Sequence, residues 1–201
     1  MTIAVVVASK NSDKIQEVEA VLASLDPPIE VLRGFDWPDI EETEDTLEGN
    51  ALLKASAVAA TTGVAAVADD TGLEVDALGG APGVHSARYA GPDADYDDNV
   101  RKLLTDLEQV EDRTARFRTA IAFVEPGEEP VVVEGVLEGE IARTPRGDNG
   151  FGYDPVFLVG DRTYAEMSNE EKNEISHRAL AIRALADALD ESRVASRESR
   201  D

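Results

Sequence analysis

Residues 2–32, TIAVVVASKNSDKIQEVEAVLASLDPPIEVL, decide the fold class. A β-branched run over 2–8 ends in Ser9-Lys10-Asn11-Ser12, after which Ile15, Val18, Leu22 and Leu25 recur at helical spacing. Asn11 or Ser12 suits the N-cap, because a short polar side chain can accept from the first unpaired N–H groups of a helix. Pro27-Pro28 stops the helix before a second β-like run over 29–32. A β-α-β unit therefore opens the chain.

Outward from this unit, 41–45 form an acidic loop. Asp45 with Glu48 has the spacing of a capping box for a helix through Thr62, with Leu52, Ala55 and Ala59 on one face and Gly63 at its end. Residues 64–68 read as a buried strand that places Asp69-Asp70-Thr71-Gly72 at its C-terminal end, followed by a turn-rich 79–83. A helix is predicted over 96–107. Two longer β segments, 114–124 and 131–142, read as a hairpin, so the strands are not all parallel. Residues 146–155 make a glycine and aromatic loop, and Ser168 with Glu171 forms a further capping box. Ile182, Leu185, Ala186 and Leu189 stripe a last helix, and beyond Asp190 the chain is polar and expected to fray. No internal repeat is visible.

The 201 residues carry 42 acidic and 19 basic side chains, a net charge of −23, which excludes a basic protein that coats nucleic acid. Hydrophobic residues make up 42%, enough for a packed core in one domain or two fused lobes. Cysteine is absent and there are two histidines, His85 and His177, so disulfide, thiolate and His-rich zinc chemistry drop out. The first apolar run is far shorter than the roughly 18 residues of a membrane span and has no basic segment before it, which predicts a cytoplasmic protein with no membrane partner. Only five lysines occur among the basic residues, and this low-lysine, acidic balance resembles proteins of salt-loving organisms. Their repulsion would be screened at about 1 M salt, where the Debye length is near 3 Å.

Those few lysines cluster in segments with chemical potential. The Ser9-Lys10-Asn11-Ser12-Asp13-Lys14 turn sets helix-start N–H groups, a hydroxyl, an amide and two ammonium groups after a strand, which makes an anion site. Lys14 in the first helical turn opposes the helix dipole, a conflict worth roughly 0.3–1 kcal/mol that a bound phosphate would reverse. A frayed surface lysine is the competing reading. Lys54 lies one turn after Asn50, so both project from one side of their helix. Asp69 and Asp70 are too costly to bury unpaired and should meet solvent or a cation. Because successive strand residues face opposite ways, one should aim at the site and the other brace a loop; an Asp-rich turn cap is the alternative. Glu42 and Glu44 can add oxygen ligands or simply be solvated. Phe151, Tyr153 and Asp154 offer ring faces and a carboxylate to a planar base, or they pack as a turn. Ser176-His177-Arg178 gathers a hydroxyl, an imidazole and a guanidinium, where His177 is either a capping-region histidine or part of a site.

Taken in order, Ser9-Lys10-Asn11 with Lys14, Glu42 through Asn50-Ala51 and Lys54, and Ala68-Asp69-Asp70-Thr71-Gly72-Leu73 open a series of motifs. It continues with Gly79-Gly80-Ala81-Pro82-Gly83 and Ser86-Ala87-Arg88-Tyr89, Pro145-Arg146-Gly147 through Phe151-Gly152-Tyr153-Asp154-Pro155, and Ser176-His177-Arg178. This series resembles the HAM1 family of inosine/xanthosine triphosphate pyrophosphatases over nearly the whole chain. The resemblance implies an α/β fold with an elongated mixed central β-sheet flanked by helices, two lobes with a cleft between them. It makes 1–190 a single two-lobed domain and 191–201 a polar tail.

By the same resemblance the activity is hydrolysis of ITP, dITP and XTP to monophosphate and pyrophosphate, with Mg²⁺, by a homodimer that cleanses the nucleotide pool and does not act on nucleic-acid polymers. Ser9, Asn11, Lys14 and Lys54 would hold the phosphates, Lys10, Thr71 and Gly152 would also bind the substrate, and Glu42 and Asp70 would bind the Mg²⁺. Asp70 would also activate water, with Lys14 and Lys54 assisting catalysis. Phe151, Tyr153, Asp154, Lys172, Ser176, His177 and Arg178 would form the base pocket. Glu44 stands where the family usually has Gly, and Gly49 where it usually has Glu. Two other readings stay open: a Mg²⁺-dependent pyrophosphatase for other modified or canonical nucleotides, and a noncatalytic nucleotide-binding sensor, against which the Asp69-Asp70 pair argues.

Overall fold

A computed structural model describes residues 3–198, with side chains described to residue 192. In chain order the elements are β1 (Ala4–Val7), α1 (Ser12–Ser24), β2 (Glu30–Val31), α2 (Leu47–Thr62), β3 (Ala66–Val75), β4 (Pro82–Gly83) and α3 (Tyr96–Asp106). They continue with β5 (Thr114–Val124), β6 (Val131–Ile141), β7 (Phe157–Val159), β8 (Arg162–Thr163), α4 (Asn169–Ile175) and α5 (His177–Glu198). The sheet runs β2-β1-β3-β5-β6-β7-β8, with β4 paired to β3. β1 is parallel to β2 and β3, whereas β4 is antiparallel to β3 and β7 to β6 and β8. The α/β expectation of a mixed central sheet flanked by helices holds.

The chain divides into two compact units, each built on its own core. The first takes residues 3–70, 119–135 and 178–198 of the described chain. In it Val5 and Val7 of β1, Val18 and Leu22 of α1, Val67 of β3, Ile121 and Phe123 of β5, and Ile182, Leu185 and Leu189 of α5 are buried together. The apolar stripes that read as helical in α1 and α5 are therefore the faces this core covers. Each such aliphatic side chain contributes about 1.5–3 kcal/mol on full burial. The second unit, 71–118 and 136–177, packs Leu73, Val75, Leu103, Leu107, Ile141 and Val156 around Phe117, whose ring lies 4.4 Å from that of Phe157.

Most local signals are realised. Asn11 caps α1, and Ser168 and Glu171 form the expected reciprocal box at α4. Gly63 ends α2 in the left-handed conformation at φ 69°, with its N–H bonded to Ala59. The α2 cap differs from expectation by one residue. Thr46, in an extended conformation, accepts from Gly49 N at 3.0 Å, so Glu48 falls one position too early to complete a box and Asp45 lies outside the helix. β3 also runs past its expected end. It continues through Asp69 and Asp70 to Val75, which places the acidic pair in mid-strand. The stretch after Asp190, expected to fray, is helical to Glu198, and residues 199–201 lie outside the described chain. Among the described residues no helix is long and apolar enough to cross a membrane.

Candidate active site

Within the first unit, the turn between β1 and α1 is organised by its own side chains. Ser9 Oγ accepts from Asn11 N at 3.2 Å, and Asn11 Oδ1 accepts from Asp13 N at 2.9 Å and Lys14 N at 3.2 Å. The donors expected to face an anion are thus engaged by the cap, and a phosphate must compete with Asn11 for them. Lys10 is exposed and ion-paired with Asp39. Lys14 turns its ammonium to Asp69, 3.4 Å away, and this answers the dipole conflict noted above, since a partner carboxylate now holds the cation in place.

Asp69 and Asp70 are both almost fully buried, at 4% and 5% exposure, and both meet cations. Asp69 Oδ2 receives Arg178 Nε at 3.2 Å as well as Lys14, and Arg178 also pairs with Glu17 of α1. Asp70 Oδ1 receives Lys54 Nζ at 2.9 Å, and the same ammonium reaches Glu42 Oε1 at 2.7 Å. Asn50, one turn before Lys54 on α2, donates from Nδ2 to Asp70 Oδ2 at 3.4 Å. The expectation that one aspartate aims at the site while the other braces a loop is only half realised. Each serves a different set of cations, and the contact to the loop is made through Asn50.

The environments of these neighbouring carboxylates drive their acidities apart. Burial pushes Asp70 above the ordinary value; Glu42 adds to the rise, and Lys54 and Lys14 offset only part of it. Burial would raise Asp69 too, but Lys14, Arg178 and Lys54 outweigh it and hold this carboxyl well below the usual range. Burial also works against the Lys54 ammonium, yet Asp70, Asp69 and Glu42 together lift its pKa. The result is a carboxylate favoured in its ionised form next to one whose proton affinity is enhanced, the pattern by which acid–base roles are divided between two like groups. Glu42 and Asp70, two hard oxygen donors already converging on one cation, suit Mg²⁺, which takes one or two carboxylates and fills its shell with water and phosphate oxygens. Among the described residues no group of three or more His, Cys, Asp or Glu is arranged to hold a metal.

In the second unit, Phe151 is half-buried, its ring 5.8 Å from that of Tyr96. Asp154 accepts from Lys172 Nζ at 2.7 Å and from Phe151 N at 3.2 Å, so it organises the loop that carries the ring. Gly150 leaves room for this ion pair: at φ 89°, a Cβ there would lie 2.0 Å from Asp154 Oδ2. Gly152 lies on the same loop, and Thr71 is half-buried beside Asp70 on β3. Tyr153 is core rather than an open ring face, because its hydroxyl donates to Ser86 O at 2.8 Å and its ring is buried. Ser176 caps α4, and the buried His177 stacks on Phe117 with ring centroids 4.7 Å apart. Arg178 belongs to the first unit and is 2% exposed. Because its guanidinium is bound to Asp69 and Glu17, contact with a base requires it to release one of them or to use another N–H.

Residues 5–188 match the Ham1 family. A dITP/XTP pyrophosphatase of Bacillus licheniformis is 50% identical over 193 residues, covering 94% of this chain and 98% of its own. The chain belongs to the Ham1 family. Another dITP/XTP pyrophosphatase, from Geobacillus kaustophilus, is 48% identical over 93% of this chain and 94% of its own. The solved structure of a HAM1 protein from Coxiella burnetii superposes with a TM-score of 0.83 at 45% identity, covering 94% of this chain and all of that one.

Glu44 and Gly49, the positions at which the resemblance led to the expectation of Gly and Glu, lie against each other. A Cβ at position 49 would lie 2.7 Å from Glu44 Cβ, so the side chain at 44 occupies the space that glycine at 49 leaves. Glu44 itself is exposed. Glu17 was not anticipated as a site residue. The available signal was its place three residues after Lys14, which puts both on one face of α1.

Proposed function

We propose that the protein hydrolyses the noncanonical purine nucleoside triphosphates ITP, dITP and XTP to the monophosphate and pyrophosphate, as a cytoplasmic homodimer that cleanses the nucleotide pool. The observation that carries this reading is the convergence of Glu42 and Asp70 on Lys54, with the ionised Asp69 holding Lys14 alongside. Lys14 and Lys54, with Ser9, Lys10, Asn11 and Thr71, hold the triphosphate as its oxygens displace carboxylates from the ammonium groups. Asp70 takes the proton of the water that attacks the α-phosphorus in line, and pyrophosphate leaves. Glu42 and Asp70 would hold Mg²⁺, which when bound would supply charge neutralisation at the phosphate oxygens.

Phe151 supplies a ring face to the purine, on a loop fixed by Asp154 and Lys172. His177 and Arg178 donate toward the 6-oxo group, and an adenine amino group would leave such donors unpaired. The test is hydrolysis of ITP, XTP, ATP and GTP with and without Mg²⁺. Pyrophosphate should be released from ITP and XTP only with the metal. Release of single phosphate, or equal rates on ATP, would overturn the reading. Phe151→Ala should raise KM for ITP about 10-fold, since stacking on an aromatic ring is worth about 1–3 kcal/mol per base. An unchanged KM would make that ring packing rather than platform.

A further inference from the structure

We propose that Asn50 is a positioning residue that couples Asp70 to the loop carrying Glu42, so that the two carboxylates are set as one unit; the inference rests on the roles given to them above. The loop between β2 and α2, residues 32–46, has almost no regular structure of its own, and a stretch of that length needs outside anchors to hold one side chain in register. Asn50, 1% exposed in the first turn of α2, supplies one. Its Oδ1 accepts from Glu44 N at 3.0 Å, and its Nδ2 donates to Glu44 O at 3.2 Å, so a single amide satisfies both backbone groups two residues beyond Glu42. Nδ2 also donates to Asp70 Oδ2 at 3.4 Å, leaving Asp70 Oδ1 to Lys54.

An amide is the side chain of this length that accepts and donates at once. A carboxylate could not donate to Asp70 or to Glu44 O, and an aliphatic group could do neither. The neighbouring Gly49 lets the loop lie against α2, because a Cβ there would meet Glu44 Cβ at 2.7 Å and Cγ at 3.0 Å. The first turn of α2 is thus shaped to receive Glu44, and Asn50 passes that placement on to the strand that carries Asp70. The sequence singled out Asn50 for sharing a side with Lys54 and as part of the motif series, and gave it no role of its own.

Two substitutions separate the arms. Asn50→Ala removes both the hold on Glu44 and the contact to Asp70. Gly49→Ala crowds Glu44 but leaves the amide opposite Asp70, and it should preserve the helix, since Ala is favoured over Gly in helix interiors. Hydrogen exchange of a peptide spanning 40–46, measured without metal or nucleotide, reads the loop directly. In Asn50→Ala it should exchange at least about 10-fold faster while peptides of α2 and the sheet keep parent rates. The kcat for ITP should fall about 10–100-fold, the usual cost of losing a group that orients a ligating side chain, with KM at saturating Mg²⁺ little changed. Gly49→Ala should speed loop exchange and raise the Mg²⁺ needed for half-maximal rate, yet keep kcat at saturating Mg²⁺. Unchanged exchange over 40–46, a rise spread evenly over the chain, or parent kcat in Asn50→Ala would each overturn the proposal. If Asp70→Asn and Glu42→Gln retain turnover, the roles assumed for those carboxylates fail instead.

Discussion

Asp70→Asn is expected to fold as the parent does and to release pyrophosphate from ITP about a thousandfold more slowly, within the 10²–10⁴ span typical of losing a general base. The amide keeps the shape of the carboxyl and can still accept from Lys54, whose ammonium retains Glu42 at 2.7 Å, while its NH2 then faces Asn50 and gives up the 3.4 Å contact there. What it loses is the lone pair that takes the proton of the attacking water. Stability should not fall with activity. Asp70 has a raised folded-state pKa, so its favourable contribution is present below the unfolded value, near 3.9, and is lost as pH rises through the folded one. At neutral pH the ionised group therefore opposes folding, and a neutral amide relieves that cost. Pyrophosphate assays paired with thermal melts at pH 7 check both halves: parent-like turnover removes Asp70 from the mechanism, and a clearly lower melting point contradicts the account of its environment.

Asp69→Ala should do the reverse of its neighbour, lowering stability by about 3–5 kcal/mol, as expected when one partner of a buried ion pair is removed. Arg178, 2% exposed, would keep Glu17 but lose Asp69, and Lys14 would lose its carboxylate 3.4 Å away. For a chain of this size that loss corresponds to a melting point about 10 °C lower. The pH dependence follows from the depressed pKa. The contribution of Asp69 is fully present above the unfolded value and is lost as pH falls through the folded one. The gap between parent and variant should thus be complete at pH 7 and close only in strong acid, well below pH 4. Thermal melts at pH 7 and pH 3 measure it. A variant within about 2 °C of the parent at pH 7 would mean that the Asp69 carboxylate is not a structural counter-ion.

These opposite outcomes from adjacent residues show where one-dimensional reading stops. The Asp-Asp pair was visible as chemistry because charge next to an apolar strand is conspicuous. Its division of labour was not, because it depends on Lys14, Lys54 and Arg178, which approach from α1, α2 and α5. Tyr153 was open to two readings for the same reason. A tyrosine in a glycine-rich loop offers an aromatic face in sequence, and only the carbonyl of Ser86, 67 residues earlier, shows that the ring is packed and its hydroxyl satisfied.

Local pattern alone determined the elements: the Asn11 cap, the stripes of α1 and α5, the stop at Gly63 and the Ser168–Glu171 box arise between residues a few positions apart, where periodicity and capping chemistry act. Motif order likewise determined the family. Tertiary contact decided the passage of β3 through its acidic pair, the one-residue shift of the α2 cap, the mutual fit of Glu44 and Gly49, and the hold of Asn50 on both Glu44 and Asp70. Each of these is an effect of solvation, charge or space set by groups that the chain brings together only on folding, and whether a carboxylate is a base or a counter-ion is settled by those surroundings rather than by its identity.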